Sequence, residues 1–350
     1  MHNFAIQQTE RALRSASIAR ELADGTETSD PAVALMGVLV QLHPSQAGAG
    51  EATAWLQLAE LSSHPDPWLA AAARLFHGFA SAAFGSAADA AAHLTAARDG
   101  FAEIGDRWGM AAAVGSLGNC HSLDGDHATA IAAITEAIRF MRMLGSDSDA
   151  AWLLAERGVE RLRAGDLAGA RADFEQVKAG EVARRSRMTL TFADIGLGEL
   201  ARRSGDLGRA RSVLTGVLAR SPGVDPDPAQ LRPLALIALG WAAAEDGDVA
   251  AARDHLGEGL RMSMRVGERS VVAGAAEALA GLAIAEGAPG EAARLLGLAT
   301  AIRGTADLGS PDVRRTEAAA RAALGAGYDP AYQETATLGT DAALAALRER

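Results

Sequence analysis

The residues with the densest capacity for chemistry are Cys120, His121, Asp124, Asp126 and His127, spaced Cys-His-x-x-Asp-x-Asp-His. Thiolate, imidazole and carboxylate are all metal ligands, so the cluster is first weighed as a zinc site. Zinc sites built from Cys and His use paired spacings that this segment lacks, and Gly125 and Asp126 recur in a frame that explains them structurally. No metal is expected. A Walker-type phosphate loop needs Gly-Lys-Ser/Thr, and the only lysine is Lys178, in Gln176-Val177-Lys178-Ala179-Gly180. No Gly-x-Ser-x-Gly nucleophile elbow occurs either. His93 and His255 share one frame position, eight residues after a turn glycine, which marks packing or surface rather than catalysis. Arg184-Arg185-Ser186-Arg187 could hold an acidic partner or a phosphate, but reads first as a solvated helix start. With no set of nucleophile, base or metal ligands, the chain is expected not to be an enzyme and to need no cofactor.

The frame that positions these residues is a repeat. Gly125-Asp126, Gly165-Asp166, Gly205-Asp206 and Gly247-Asp248 are 40, 40 and 42 residues apart, with degenerate copies at Gly85 and Gly287 and a further step to Gly327. A fixed period of this length marks a solenoid of units that cannot bury their apolar faces alone. Each unit reads as helix A, a Gly-Asp turn, helix B and a longer connector. The spacing predicts helix A over roughly Met188–Arg203 and helix B over roughly Leu207–Ala219. The glycine ends helix A in the left-handed conformation, and the aspartate accepts from free N–H groups opening helix B. Gly118, Gly198 and Gly240, seven residues before the turn glycine, and Gly158 in a fourth unit let the two helices meet closely.

Leu-Gly, the Gly-Asp turn, Ala five residues on, then Ile134, Phe174, Leu214, Leu256 or Leu296 four further resembles the tetratricopeptide repeat. That family's unit is usually 34 residues, so a period near 40 implies longer helices or connectors, similar to the sensor regions of large bacterial regulators of the maltose-activator type. The stretches Glu277–Ala283, Glu291–Gly297, Ala301–Gly304, the Pro311 break and Ala322–Gly325 resemble the C-terminal end of actinobacterial LuxR-type and antibiotic-regulatory ATP-binding transcriptional regulators. This resemblance implies a right-handed all-α solenoid of tetratricopeptide-like repeats. It also implies that the residues six before, three before, one after and four after the small helix A residue line a concave groove. Those residues include Phe79, Asn119, Trp152, Phe192, Glu199, Arg202 and Trp241, an apolar lining whose aromatics could instead pack against the neighbouring unit.

Composition limits the partners. A net charge of −11 argues against direct binding of nucleic acid or an anionic membrane. The single cysteine, Cys120, excludes an internal disulfide and suits a reducing compartment. No apolar run reaches membrane-spanning length, and Met1-His2-Asn3-Phe4 does not open a signal peptide, so a cytoplasmic location is expected. The whole chain, 1–350, is expected to form one solenoid: degenerate N-terminal helices over 1–65 (Asn3–Ala23, Asp30–His43, Glu51–Leu61), core repeats over 66–304 and capping helices over 305–350. Ser221–Pro228 is expected to be an edge loop. The expected function is a non-catalytic module that receives a protein, a peptide or a hydrophobic small molecule in the groove for a bacterial transcriptional regulator. A constitutive scaffold or homo-oligomerisation module is the alternative.

Overall fold

The computed structural model describes residues 51–84, 87–180, 186–220 and 231–350. The helices expected over Asn3–Ala23 and Asp30–His43, the basic pair Arg184-Arg185 and the loop Ser221–Pro228 lie outside them. Helices follow one another as α1 (Glu51–Leu61), α2 (Pro67–Phe84), α3 (Ala87–Glu103), α4 (Arg107–Leu123), α5 (His127–Met143), α6 (Asp147–Ala164), α7 (Leu167–Ala179) and α8 (Arg187–Arg203). They continue as α9 (Leu207–Ala219), α10 (Arg232–Glu245), α11 (Val249–Val266), α12 (Arg269–Ala285), α13 (Pro289–Arg303), α14 (Pro311–Leu324), α15 (Tyr328–Ala336) and α16 (Thr340–Arg348). No strand occurs among the described residues. The fold is an all-α solenoid of tandem helix-turn-helix repeats. Contacts divide it into two compact units: the first holds Ala132–Ala150 and the described residues up to Cys120, the second holds His121–Ile131 and Ala151–Arg350.

The turn chemistry follows from the sequence. Gly205 has φ 81°, a conformation that costs an L side chain about 1 kcal/mol or more, and the other Gly-Asp turns share it. Asp126, Asp166, Asp206 and Asp248 each accept from the backbone N–H three residues on, at 2.9–3.1 Å, and so cap helix B. Connectors between repeats are as tight as these turns at Gly105, Gly145 and Gly267, not the longer segments expected. The period near 40 therefore comes from longer helices, up to 18 residues each.

Packing inside a repeat depends on a small residue facing a large one. A Cβ added to Gly158 would lie 2.6 Å from the Phe174 ring, and one on Gly198 would lie 2.6 Å from Leu214 Cγ. In the first unit Gly78 meets Leu94 in the same way, also at 2.6 Å. The alanines five residues after the turn glycine, Ala130, Ala170, Ala210, Ala252 and Ala292, are fully buried between helices. Such close approach lets each helix pair bury its apolar stripe against the next.

The first unit carries a second recurring contact, in which an indole near the start of one helix A donates to an aspartate of the next repeat. Trp68 donates to Asp106 at 2.9 Å, and Trp108 to Asp149 at 3.2 Å. In the second unit, α14, α15 and α16 fold back on α12 and α13 and bury Ala320, Tyr328, Ala343 and Leu347 in one cluster with Leu296 and Leu298. Gly297 lies directly under Thr335 and Tyr332, where any side chain would collide.

Candidate functional site

Of the residues expected to line a groove, Phe79 and Asn119 belong to the first unit. Phe79 is buried and meets Phe76 edge to face at 5.9 Å between centroids. The amide nitrogen of Asn119 is buried without a hydrogen-bond partner. The other five belong to the second unit, and the structure brings them together as two groups. Trp152 on α6 is 2% exposed, and its ring stacks on Phe192 of α8 at 4.7 Å and 18°. This is packing between neighbouring helix A segments. Glu199, Arg202 and Trp241 form the second group, and it is charged.

Arg202, on the last turn of α8, is 3% exposed and surrounded by carboxylates. It donates to Glu199 at 2.8 Å, to Glu245 of α10 at 2.5 Å, and to both oxygens of Asp312 at 2.7 and 3.3 Å. Arg203 reaches Asp312 at 2.7 Å, and Arg315 bridges Glu245 and Asp312 at 2.8 and 2.9 Å. The guanidinium groups of Arg202 and Arg315 both lie over the Trp241 ring, 5.8 and 5.9 Å from its centroid. Trp241 rests against Gly281 of α12, where only hydrogen leaves room for the indole. Burial alone would push the Asp312 carboxyl up, but Arg202 and then Arg203 outweigh it and hold it below the usual carboxylate range.

The segment leading into Asp312 extends this network. Between the left-handed Gly304 that ends α13 and Pro311 that opens α14, the chain runs Thr305-Ala306-Asp307-Leu308-Gly309-Ser310. Asp307 takes a two-point contact from Arg163 of α6, at 2.5 and 3.1 Å. The N–H groups of Leu308 and Gly309 both donate to the Leu123 carbonyl, at 2.9 and 3.2 Å. They thus cap the carbonyl end of α4. Gly309 presses on the Ser122 carbonyl, where a Cβ would collide. Its own carbonyl oxygen lies 3.1 Å from His127 Nε2, while His127 Nδ1 faces Glu160 of α6. Arg303, just before the segment, donates to Glu277 of α12 at 2.5 Å. Burial raises the Glu277 carboxyl beyond what Arg303 restores. Asp307, also buried, is held low by Arg163 and Arg303.

Sequence reasoning found Arg202 and missed Arg163 and Arg203. Leu123, Arg163, Arg203 and Glu245 all stand two residues before their turn glycine, one position beyond the frame used to choose groove residues. A basic residue at that place in two successive units was the available signal. The Cys120–His127 cluster acts as a turn. Asp126 caps α5, His127 bonds Glu160 and Gly309, and no group of three or more metal-ligating side chains is gathered among the described residues. His93 stacks on His77, with ring centroids 3.6 Å apart. No helix among the described residues is long and apolar enough to cross a membrane.

No family model matches the chain, and neither does any curated protein. Solved structures do. A Rap protein complexed with Competence and Sporulation Factor superposes with a TM-score of 0.63 at 12% identity, covering 100% of this chain and 98% of that one. NprR in complex with its cognate peptide NprX gives 0.58 at 11% identity, covering 99% and 95%. Cut9 of the APC/C hetero-tetramer Cut9-Hcn1 gives 0.51 at 17% identity over 87% of this chain, which spans about half the length of Cut9. At these identities the likeness is one of fold, and the fold is a tetratricopeptide-like α-solenoid.

Proposed function

We propose that this chain is a non-catalytic receptor for a peptide or an extended protein segment, and that the C-terminal ends of its helix A segments form the receptor face. One observation carries the reading. At the ends of α4, α6 and α8 the second unit already holds the turn Asp307-Leu308-Gly309 and the first turn of α14 behind it: the Leu308 and Gly309 N–H groups share the Leu123 carbonyl, Arg163 pairs with Asp307 and Arg202 with Asp312. Those are the elements of peptide recognition: main-chain bonds for affinity, charged pairs and a glycine-only contact for selectivity. The Rap and NprR structures, each solved with a peptide or factor on the same fold, support the reading. The resemblance of residues 270–347 to regulator C-termini adds the context of a bacterial transcriptional regulator, in which peptide occupancy would be passed along the repeats to neighbouring modules.

Panning a phage-displayed random dodecapeptide library on the full chain and on its Arg163→Gln/Arg203→Gln variant tests the reading. Peptides enriched on the first and lost on the folded second are expected. Enrichment that ignores both arginines removes this face as the receptor. The scaffold alternative is favoured by a different observation, the exposure of Trp68, Ile104, Met143 and Leu144 on the first unit. Sedimentation velocity separates the two: a scaffold self-associates through that surface without added peptide, and Met143→Asp/Leu144→Asp abolishes the association.

A further inference from the structure

The segment Thr305–Ser310 does not behave as a core element. Its one large apolar side chain, Leu308, is 56% exposed, and what holds the segment is polar: Asp307 on Arg163, two N–H groups on Leu123, and the Gly309 carbonyl on His127. Besides Leu308, the segment's only other apolar side chain is the single methyl of Ala306. The cost of lifting it away would be a half-buried Arg163 left with the Ser122 carbonyl at 3.4 Å alone, its Nε already being without a partner. An incoming peptide that supplies the same carboxylate and the same backbone donors would replace that loss contact for contact. The segment is bounded by Gly304 in a left-handed turn and by Pro311, while Asp312 and the buried Thr316 and Ala320 keep α14 in place.

From this we infer that Thr305–Ser310 is an internal ligand of the receptor face, and that the partner it gives way to is an acidic peptide carrying Asp-x-Gly in the same turn, with the aspartate accepting from the N–H groups two and three residues on. The carboxylate of that peptide would take the place of Asp307 on Arg163. Its glycine, two residues on, would meet the Ser122 carbonyl, because nothing larger fits there. The inference rests on the receptor reading for its partner and adds how the face is kept closed. Being tethered, the internal segment competes at an effective concentration of order millimolar. A free peptide of equal intrinsic affinity therefore binds the intact chain poorly.

The test uses the synthetic peptide Gly-Thr-Ala-Asp-Leu-Gly-Ser-Pro, acetylated and amidated, and a full chain whose residues 305–310 are replaced by Gly-Gly-Ser-Gly-Gly-Ser. Isothermal titration should show the peptide binding the replaced chain at least tenfold more tightly than the wild type. The affinity should be lost for a peptide with Asp→Asn or with Gly→Ala. A helical, cooperatively melting replaced chain that does not bind the peptide overturns the inference. Should the replacement fail to fold, Gly309→Ala, which evicts the segment while leaving every arginine intact, reads the same affinity. If that also unfolds the chain, the segment is an obligatory structural part and the inference fails. The library experiment keeps the two readings apart. Foreign peptides enriched equally by wild-type and replaced chains retain the receptor and sink the internal ligand. Rebinding of the synthetic peptide with no foreign peptide enriched retains the internal ligand and sinks the receptor.

Discussion

Arg202 and Asp312 are 110 residues apart in sequence, yet their guanidinium and carboxylate meet in parallel, at 2.7 and 3.3 Å, and both are nearly excluded from solvent. The pair ties the end of α8 to the first turn of α14, where the carboxylate also suits the positive end of the helix. A buried pair of this kind adds little net stability over an apolar replacement, but removing one partner strands the other. Asp312→Ala should therefore cost about 3–5 kcal/mol in urea denaturation, since Arg202 and Arg203 both lose their shared carboxylate. The same linkage fixes a pH dependence. Asp312 titrates lower in the folded chain than in the unfolded one, so its contribution is present above the ordinary carboxylate range and is lost as pH falls through the folded value. Wild type and Asp312→Ala should converge in stability on acidification; a gap that stays constant as the carboxylates protonate would contradict the pairing.

Trp152 and Phe192 turn a groove expectation into a stability prediction. With Trp152 2% exposed and its ring stacked on Phe192, Trp152→Ala removes a large buried side chain and leaves a cavity between two repeats. The expected loss is about 3–5 kcal/mol. Trp152→Phe, which keeps a ring for the stack, should recover most of it. A Trp152→Ala chain that melts like the wild type would show that the indole is not part of the packing.

Much of the fold was legible because each repeat states the same local rules several times. Helix B came out at Leu207–Ala219 as expected and helix A one residue longer, at Arg187–Arg203, because glycine, aspartate and alanine occupy fixed steps of a period. The connectors were misjudged: Gly105-Asp106 repeats the turn pair, but it becomes Gly145-Ser146 forty residues on, Arg185-Ser186 after that and Gly267-Glu268 at the last, so the signal fades from one connector to the next. The candidate site was less legible for a different reason. Arg163 and Asp307 are 144 residues apart; Arg163 keeps a frame position, but Asp307 belongs to no period, and nothing local in Asp307-Leu308-Gly309 says which carbonyl its N–H groups will meet. Only the return of the chain after α13 onto the ends of α4 and α6 creates that contact.

The small-to-large contact inside each repeat predicts a compensating pair. Adding a methyl at Gly198 places it 2.6 Å from Leu214 Cγ, so Gly198→Ala should destabilise by about 1–3 kcal/mol through overpacking. Leu214→Ala alone leaves a cavity and costs about 2–5 kcal/mol. The double variant should lose clearly less than the sum of the two, because the new methyl occupies part of the space the leucine vacates. Additive losses in thermal melts would mean that the two residues do not share that space.

His77 and His93, stacked at 3.6 Å on α2 and α3, make the first unit sensitive to acid. Burial, and then the neighbouring His93, lower the His77 imidazole from 6.5 to about 4, against a smaller opposing pull from Asp89. His93 is lowered too, chiefly by burial. The unfolded chain therefore binds protons between about pH 6.5 and about pH 4 that the folded chain does not. The histidine contribution is complete above pH 6.5 and is withdrawn as pH falls through that window. Because His77 is only half-buried, solvent screening limits the effect to about 1 kcal/mol. Urea midpoints should fall from about pH 7 to about pH 4.5 by more in the wild type than in His77→Gln, while the slope of the transition stays constant. An equal fall in both chains would assign the acid sensitivity to carboxylates such as Asp312 rather than to the stacked imidazoles.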